Sequence, residues 1–372
     1  MSTPPSAPAL VPQLRQQAAA CESLGSSFYG RLLLLAADDA DRGGPVAGVL
    51  EAYDNRPTDD AISLRLLGSV HRLVLQGRAP ALAAHYPNTG GDGDAVAAWP
   101  KLLAVVQEHR AAIDDGLTRP PQTNEVGRAA GLIGALHHLV AHRPLPLRLL
   151  EIGASGGLNL RADRFRVTTR SSALGAGPVD SALVLHDAWE GHVPPVSGPI
   201  DLVERLGCDP APVDPTTEDG ALTLMSYVWP DQAVRWSRLR AALQIARVTP
   251  ATVVRAAAGD FLSGLAPASG RWTVVWHSVM WQYLDGAERS RVNDHLARAG
   301  ALATPDAPLA RVTLEPYGAD FLVTARTWPD LGLTRGPGKG LHEGLVQSRP
   351  VMPDGQVVLG LGAAHGVPVR WF

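Results

Sequence analysis

Leu147-Arg148-Leu149-Leu150-Glu151-Ile152-Gly153-Ala154-Ser155-Gly156-Gly157-Leu158-Asn159-Leu160 decides how the rest of this chain is read. Its apolar run has the length of a buried strand, and a glycine-rich turn closes it. An acidic residue at a strand end, followed by such a turn, suits a nucleotide-like ligand. Glycines let backbone approach the ligand closely, and the Glu151 carboxylate can accept from an amine or hydroxyl. Downstream, strand-like and helical runs alternate. Strand candidates are Ile200 to Glu204, Val253-Val254, Trp272 to Trp276, Ala310 to Leu314, Phe321 to Ala325, Val357 to Leu361 and Val367 to Phe372. Val234 to Ala246 reads as a helix. The alternation predicts an α/β sheet with helices on both faces, and the closely spaced last runs predict a terminal antiparallel hairpin. Residues 166–199 are too long for an ordinary crossover and read as an insertion, one reading being a hairpin around Ala182 to Asp187.

Upstream of Pro144 the spacing is helical instead. Leu64, Leu67, His71 and Val74 recur at three and four residues, as do Leu102, Val105, Val106 and His109. Asn124 is placed to cap a helix running towards His142. Three segments are therefore expected: a Pro/Ser/Ala-rich disordered tail over 1–10, a helical cap domain over 11–143, and an α/β domain over 144–372. The 372 residues carry 33 Lys+Arg against 36 Asp+Glu, which lacks the excess cation that nucleic acid demands. Only Lys101 and Lys339 are lysines, which reads as a coding bias rather than a binding device. No apolar run approaches the ~20 residues of a membrane span. Cys21 and Cys208 are too few for a disulfide scaffold, so a reduced, cytoplasmic protein with a small-molecule partner is expected.

The glycine turn gains weight from the residues at the ends of the later strands. Asp209 comes after the second core strand, where it could accept both hydroxyls of a ribose; alone it would pass for a surface turn residue. Asp260 and Phe261 come after the third, a carboxylate for an adenine amino group and a ring to cover the base; alone they would be an N-cap beside a core aromatic. His277 ends the fourth strand, at the edge where open α/β sheets bind ligands. One shared site is more economical than four separate structural explanations.

This order resembles the class I S-adenosylmethionine-dependent methyltransferases, from about Leu147 to the C-terminus. The resemblance implies a Rossmann-like methyltransferase-type sheet and S-adenosylmethionine as cofactor. Glu151, Gly153, Ser155, Gly157 and Asn159 would then form the first cofactor motif, Asp209 would hold the ribose, and Asp260 with Phe261 the adenine. Ser155 stands where a glycine is usual, and the long insertion leaves Asp187 or Glu204 as other ribose partners. His277 is the candidate general base for a protonated acceptor, since its pKa can sit near neutrality. Asn124, Arg128, Arg161, Trp229 and Trp281 are the candidate substrate-binding residues; no metal set is expected.

A second resemblance covers almost the whole chain. Pro120-Pro-Gln-Thr-Asn-Glu-Val-Gly-Arg128, Glu151 to Leu160, Arg205-x-Gly-Cys-Asp209, Tyr227-x-Trp229-Pro-Asp231 and Trp276-His-Ser-Val-Met-Trp-Gln-Tyr283 are similar to the signatures of a bacterial family, domain of unknown function 2332. That family implies a fold but no activity. Two other functions stay open. Gly153-Ala-Ser155-Gly-Gly157 also satisfies the nucleophile elbow of α/β-hydrolases, with Asp330 and His365 following in the order such triads take. A non-catalytic adenosyl-binding protein is the third, because a fold alone does not license turnover. The helical His137, His138 and His142 have no carboxylate or cysteine at ligand spacing and read as solvent-exposed helix histidines, and Gly336-Pro-Gly-Lys339-Gly340 as a mobile loop.

Overall fold

A computed structural model describes residues 10–54, 61–170, 174–333 and 349–372. The expected tail over residues 1–10 lies almost wholly outside the described residues, and the Gly336–Gly340 loop lies outside them altogether. The chain divides into two compact units, Met1–Thr123 with Thr217–Ser237, and Asn124–Thr216 with Arg238–Phe372.

The first unit is helical: α1 (Leu10–Ser23), α2 (Ser27–Asp41), α3 (Pro45–Leu50), α4 (Ile62–Leu75), α5 (Pro80–Ala83), α6 (Ala95–Glu108) and α7 (Arg110–Leu117). Each main helix buries one apolar stripe; α4 buries Ile62, Leu66, Leu67, Val70, Leu73 and Val74 at helical spacing. Asp94 caps α6 by accepting from the backbone N–H groups of Val96 and Ala97 at 2.9 and 3.0 Å. Residues 217–237 return to this unit from far along the chain. Asp231 accepts from Ser26 Oγ and the Phe28 N–H at the start of α2, at 2.6 and 3.0 Å. Gly68 of α4 leaves a notch for Tyr227: a Cβ there would lie 2.6 Å from the ring. Trp229 joins the same core. The Tyr227-x-Trp229-Pro-Asp231 signature is thus a packing device of the helical unit.

The second unit holds α8 (Ala129–His142), then β1 (Leu147–Ile152), β2 (Arg166–Thr169), β3 (Gly175–Ala176), β4 (Val184–Gly191) and β5 (Leu202–Asp209). After α9 (Glu218–Ser226) of the helical unit and α10 (Ala233–Val248), which crosses the boundary, come β6 (Thr252–Arg255), α11 (Ala258–Phe261), β7 (Trp272–Ser278) and α12 (Gly286–Ala301). β8 (Leu309–Tyr317), β9 (Asp320–Trp328), β10 (Val357–Gly362) and β11 (Val369–Trp371) complete it. Among the described residues eleven strands form one sheet in the order β3-β2-β4-β11-β10-β9-β8-β7-β1-β5-β6. The run from β6 through β5, β1 and β7 to β8 is parallel throughout. β8 to β11 form an antiparallel meander whose last pair, Gly360 opposite Trp371, is the expected terminal hairpin.

Helices cover both faces. Gly131 and Gly134 of α8 press on Val323 and Trp371. On the other face Arg311 bonds Asn293 of α12, and Leu150, Ile152 and Val275 pack with Leu262 and Leu296. Two sequence expectations differ here. α8 lies in the sheet unit rather than a cap domain ending at 143, because nearly every side chain from Ala129 to Leu139 is buried. Such an all-round apolar helix needs a partner on every side. The insertion contains no hairpin at 182–187; β4 runs as one strand parallel to both β2 and β11 and extends the sheet margin. Trp189 anchors it, donating to the Ala130 carbonyl at 2.9 Å and meeting Trp371 edge-on.

The α8–Trp371 contact leaves no room for a side chain. A Cβ at Gly134 would lie 2.0 Å from Trp371 Cζ2. Gly134→Ala should therefore lower unfolding free energy by ~1–3 kcal/mol, read from urea denaturation, despite the better helix propensity of alanine.

Candidate functional site

The glycine turn leaves the carboxyl end of the central strand β1, flanked by β5 on one side and β7 on the other. Gly153 and Gly157 have φ of +69° and +64°, and Ser155 shares this left-handed region at +51°. Three side chains hold the turn. Asp209, at the end of β5, accepts from the Ser155 N–H at 2.9 Å and from the Ala211 N–H at 2.8 Å. Asn124 Oδ1 accepts from the Leu158 N–H at 2.8 Å. Arg161, 2 % exposed, donates to the Gly157 carbonyl and the Thr249 carbonyl, both at 2.7 Å. Space in front of the glycines is already used: a Cβ on Gly153 would meet Met280 at 3.0 Å, and one on Gly157 would meet Val253 at 2.6 Å.

Behind the turn sits a buried acid with no cation on it. Glu151 is 2 % exposed, and its Oε2 has no hydrogen-bond partner among the described residues. Burial pushes its carboxyl up to about 8. Asn159 and Trp276 pull the other way, yet neither reaches Oε2 in hydrogen-bonding geometry; Asn159 Oδ1 and Trp276 Nε1 are unmatched too. Asp209 adds to the upward push and Arg161 opposes it.

The other expected residues divide between places. Glu151 pairs in register with Trp276, so His277, one residue on, points to the opposite face of the sheet. There Arg311 donates to its Nε2 through Nη2 and Nε, at 3.0 and 3.2 Å, and Nδ1 lies 2.7 Å from Glu315 Oε1. Arginine can only donate, so Nε2 accepts and Nδ1 carries the proton to Glu315. Burial holds this ring below its ordinary pKa; Glu315 opposes the shift and Arg311 adds to it. Trp281 stacks on His277 at 5.1 Å, with the Arg311 guanidinium 4.4 Å over the indole. Both ring nitrogens are engaged, an arrangement that orients Trp281 but leaves no lone pair for a base.

Asp260 is exposed and paired with Arg291, while Phe261 packs into the α12-side core. Arg128 donates to the Ala364 carbonyl and fastens the β10–β11 loop. Trp229 lies in the helical unit, against Tyr29 and Arg235. Of the alternative ribose acids, Glu204 pairs with Arg148, while Asp187 is a left-handed residue of the sheet margin at φ +50°. Asp330 accepts from the Gly332 N–H at its own exposed turn. His137 and His138 are buried rather than exposed, because the helix that carries them is covered on nearly every side, and burial holds their pKa values down to about 4 and about 3. Among the described residues no group of three His, Cys, Asp or Glu is placed to hold a metal, and no helix is long and apolar enough to cross a membrane.

Arg311, Glu315 and Val279 escaped the sequence reading. A legible signal existed for two of them: Arg311 and Glu315 are the two charges of an otherwise uncharged strand, four apart and so on one face by strand alternation. Val279 gives none. It is a β-branched residue at φ +49°, seated between His277 and the Met280 that covers Gly153.

The fold and this site define a mixed α/β protein, with a helical region, built round a glycine turn with an unpaired acid behind it. The chain belongs to the bacterial family of uncharacterised conserved proteins known as domain of unknown function 2332, whose model matches residues 12–371. No curated protein matches it significantly.

The buried acid makes folding stability depend on pH. Its folded pKa of about 8 exceeds its ordinary 4.5, so between those values the folded state holds more protons than the unfolded state. Stability from this group is therefore lost as pH rises through that window, at up to ~1.4 kcal/mol per pH unit, and stays lost above it. Glu151→Gln should match the wild type in denaturant midpoint at pH 5 and exceed it at pH 9. A variant less stable than wild type at pH 9 would show that the carboxylate has a favourable partner.

Proposed function

We propose that the sheet unit binds S-adenosylmethionine or a close adenosyl relative, in the manner of a class I methyltransferase. The observation that carries this reading is the strand order. After β1 the chain makes β2, β3 and β4 at the far margin of the sheet and returns to β5 and β6 on one side of β1. It then crosses to β7 and β8 on the other side, so the parallel run changes direction between β1 and β7. In doubly wound sheets ligands bind at that switch point. The glycine turn and the Ser278–Met280 segment stand there, with Met280 already against Gly153.

The residues fit such a ligand in part. Glu151 offers an unused oxygen for an ammonium group, and arrival of that cation would favour the ionised carboxyl. Asp209 fixes the turn through one bond on each oxygen, and each oxygen keeps a further lone pair for a ribose hydroxyl. Asp260 reaches an adenine by leaving Arg291, while Phe261 stays in the core. When bound, the cofactor would supply a methyl group on a sulfonium, and the protein's part is to position the acceptor in line with it. In this reading His277 is a positioning residue for Trp281.

S-adenosylhomocysteine at a hundredfold excess over its dissociation constant should stabilise the full chain by ~2.7 kcal/mol, seen as a raised melting temperature. Ser155→Gly should keep that response, since φ +51° suits glycine better than serine. The left-handed Ser155 also favours the hydrolase reading, because a nucleophile elbow needs a strained serine. Labelling of Ser155 by a fluorophosphonate, absent in Ser155→Ala, would replace the adenosyl reading with that one. No thermal response to millimolar S-adenosylhomocysteine would sink it outright.

A further inference from the structure

A cavity of about 600 Å³ opens on the outer side of the same turn. Its walls are the loop after β5 and the segment leading from α10 into β6, and Gly156 and Arg161 lie at its base. Pro212, Pro215 and Pro250 stand in those walls and fix their backbone, so the space is held open by stiff chain. The volume is that of a small-molecule site.

Its charge arrangement is specific. Arg161 is 2 % exposed and lines the cavity. Its Nε and Nη1 are committed to the Thr249 and Gly157 carbonyls, so the guanidinium plane cannot turn. Nη2 has no hydrogen-bond partner among the described residues, on a buried cation that lacks a carboxylate bonded to it. Burial lowers the Arg161 pKa and Arg205 adds to that, while Glu151 and Asp214 favour its charge. Asp214 is on the same cavity but exposed, its Oδ1 accepting from the Thr216 N–H and hydroxyl at 2.9 and 2.6 Å. A fixed cation thus lies at the base of the cavity and a fixed anion at its rim, close enough to influence each other.

We propose that this cavity binds a free α-amino acid as its zwitterion, carboxylate on Arg161 Nη2 and ammonium towards Asp214. A simple anion would gain the arginine but meet Asp214 with the wrong sign; a simple amine would do the reverse. Only a ligand carrying both charges a few atoms apart satisfies both ends. The remaining volume, beside Val253, takes the side chain. The proposal stands without the adenosyl reading, since it needs neither the Ser278–Met280 segment nor Glu151 Oε2.

Thermal shift and calorimetry on the full chain would test it. The probes are the common L-amino acids, with matched carboxylates lacking the amine, matched amines lacking the carboxylate, and inorganic phosphate. At least one amino acid should raise the melting temperature at millimolar concentration, with the monofunctional analogues at least tenfold weaker. Asp214→Asn should weaken that binding about tenfold, and Ala251→Phe, which fills the cavity wall, should abolish it while the circular dichroism spectrum stays unchanged. Arg161→Lys should lose it too, but the two wall variants carry the test should the arginine variant fail to fold. The proposal is overturned by no response to any amino acid, by phosphate binding as tightly, or by unchanged affinity in both wall variants. Competition between the amino acid and 5′-methylthioadenosine, which has the adenosyl group but no amino-acid zwitterion, would also overturn it, since the cavity would then be part of the adenosyl site. A response to S-adenosylhomocysteine alone sinks only this proposal, and a response to amino acids alone sinks only the adenosyl one.

Discussion

Asp209 holds the end of β1 to the end of β5 by accepting the Ser155 and Ala211 N–H groups at once. Everything at the candidate site depends on that clamp. It sets the left-handed turn at Ser155, which turns Gly153 towards Met280 and Gly156 towards the cavity beside β6. A carboxylate accepting two backbone N–H groups is a strong anchor, and this one is buried enough to escape screening by salt. Asn124 and Arg161 secure the same turn from its far side. The turn is therefore over-determined by three side chains from separate parts of the unit, the condition under which a strained backbone persists.

The two faces of the sheet manage buried charge differently. On the α12 side, Glu315, His277, Arg311 and Asn293 form a chain of hydrogen bonds, and the Met280 and Trp281 N–H groups lie 3.3 and 3.4 Å from Glu315 Oε1. Such a linked buried network orders the segment it holds, here the one that covers Gly153. On the α8 side Glu151 has no comparable network. An acid left this way favours its neutral form, because ionisation in a low-dielectric site is penalised without a cation. Polar groups left unmatched in a core are costly to keep, and that cost is the physical ground for giving Glu151 a role outside the fold.

The helical unit is held together differently. Its core closes only when residues 217–237 return to it: Asp231 caps the start of α2, Tyr227 fills the notch at Gly68, and His71 meets the Ser226 carbonyl at 3.0 Å. Burial holds His71 down to about 4, so it packs as a neutral ring throughout the physiological range. The chain leaves and re-enters each unit, and neither core is made from one continuous stretch of sequence.

Much of this was legible in the residues themselves. The run 147–160 announces a buried strand and a glycine turn because both are local: strand length, apolar composition and glycine conformational freedom need no distant partner. The alternation of elements beyond it, and the hairpin at the C-terminus, come from the same local periodicities. What each site residue does was decided only by tertiary structure. Glu151 and His277 both end strands and look equivalent in sequence, yet register and side-chain alternation put them on opposite faces. Whether His277 has a free nitrogen depends on Arg311 and Glu315, which lie 34 and 38 residues further on. α8 reads as one more helix of the first third, and only Trp189, Val323 and Trp371, brought against it by sheet order, make it part of the second unit. Local propensity fixes elements; pairing over long separations fixes which atoms remain unsatisfied.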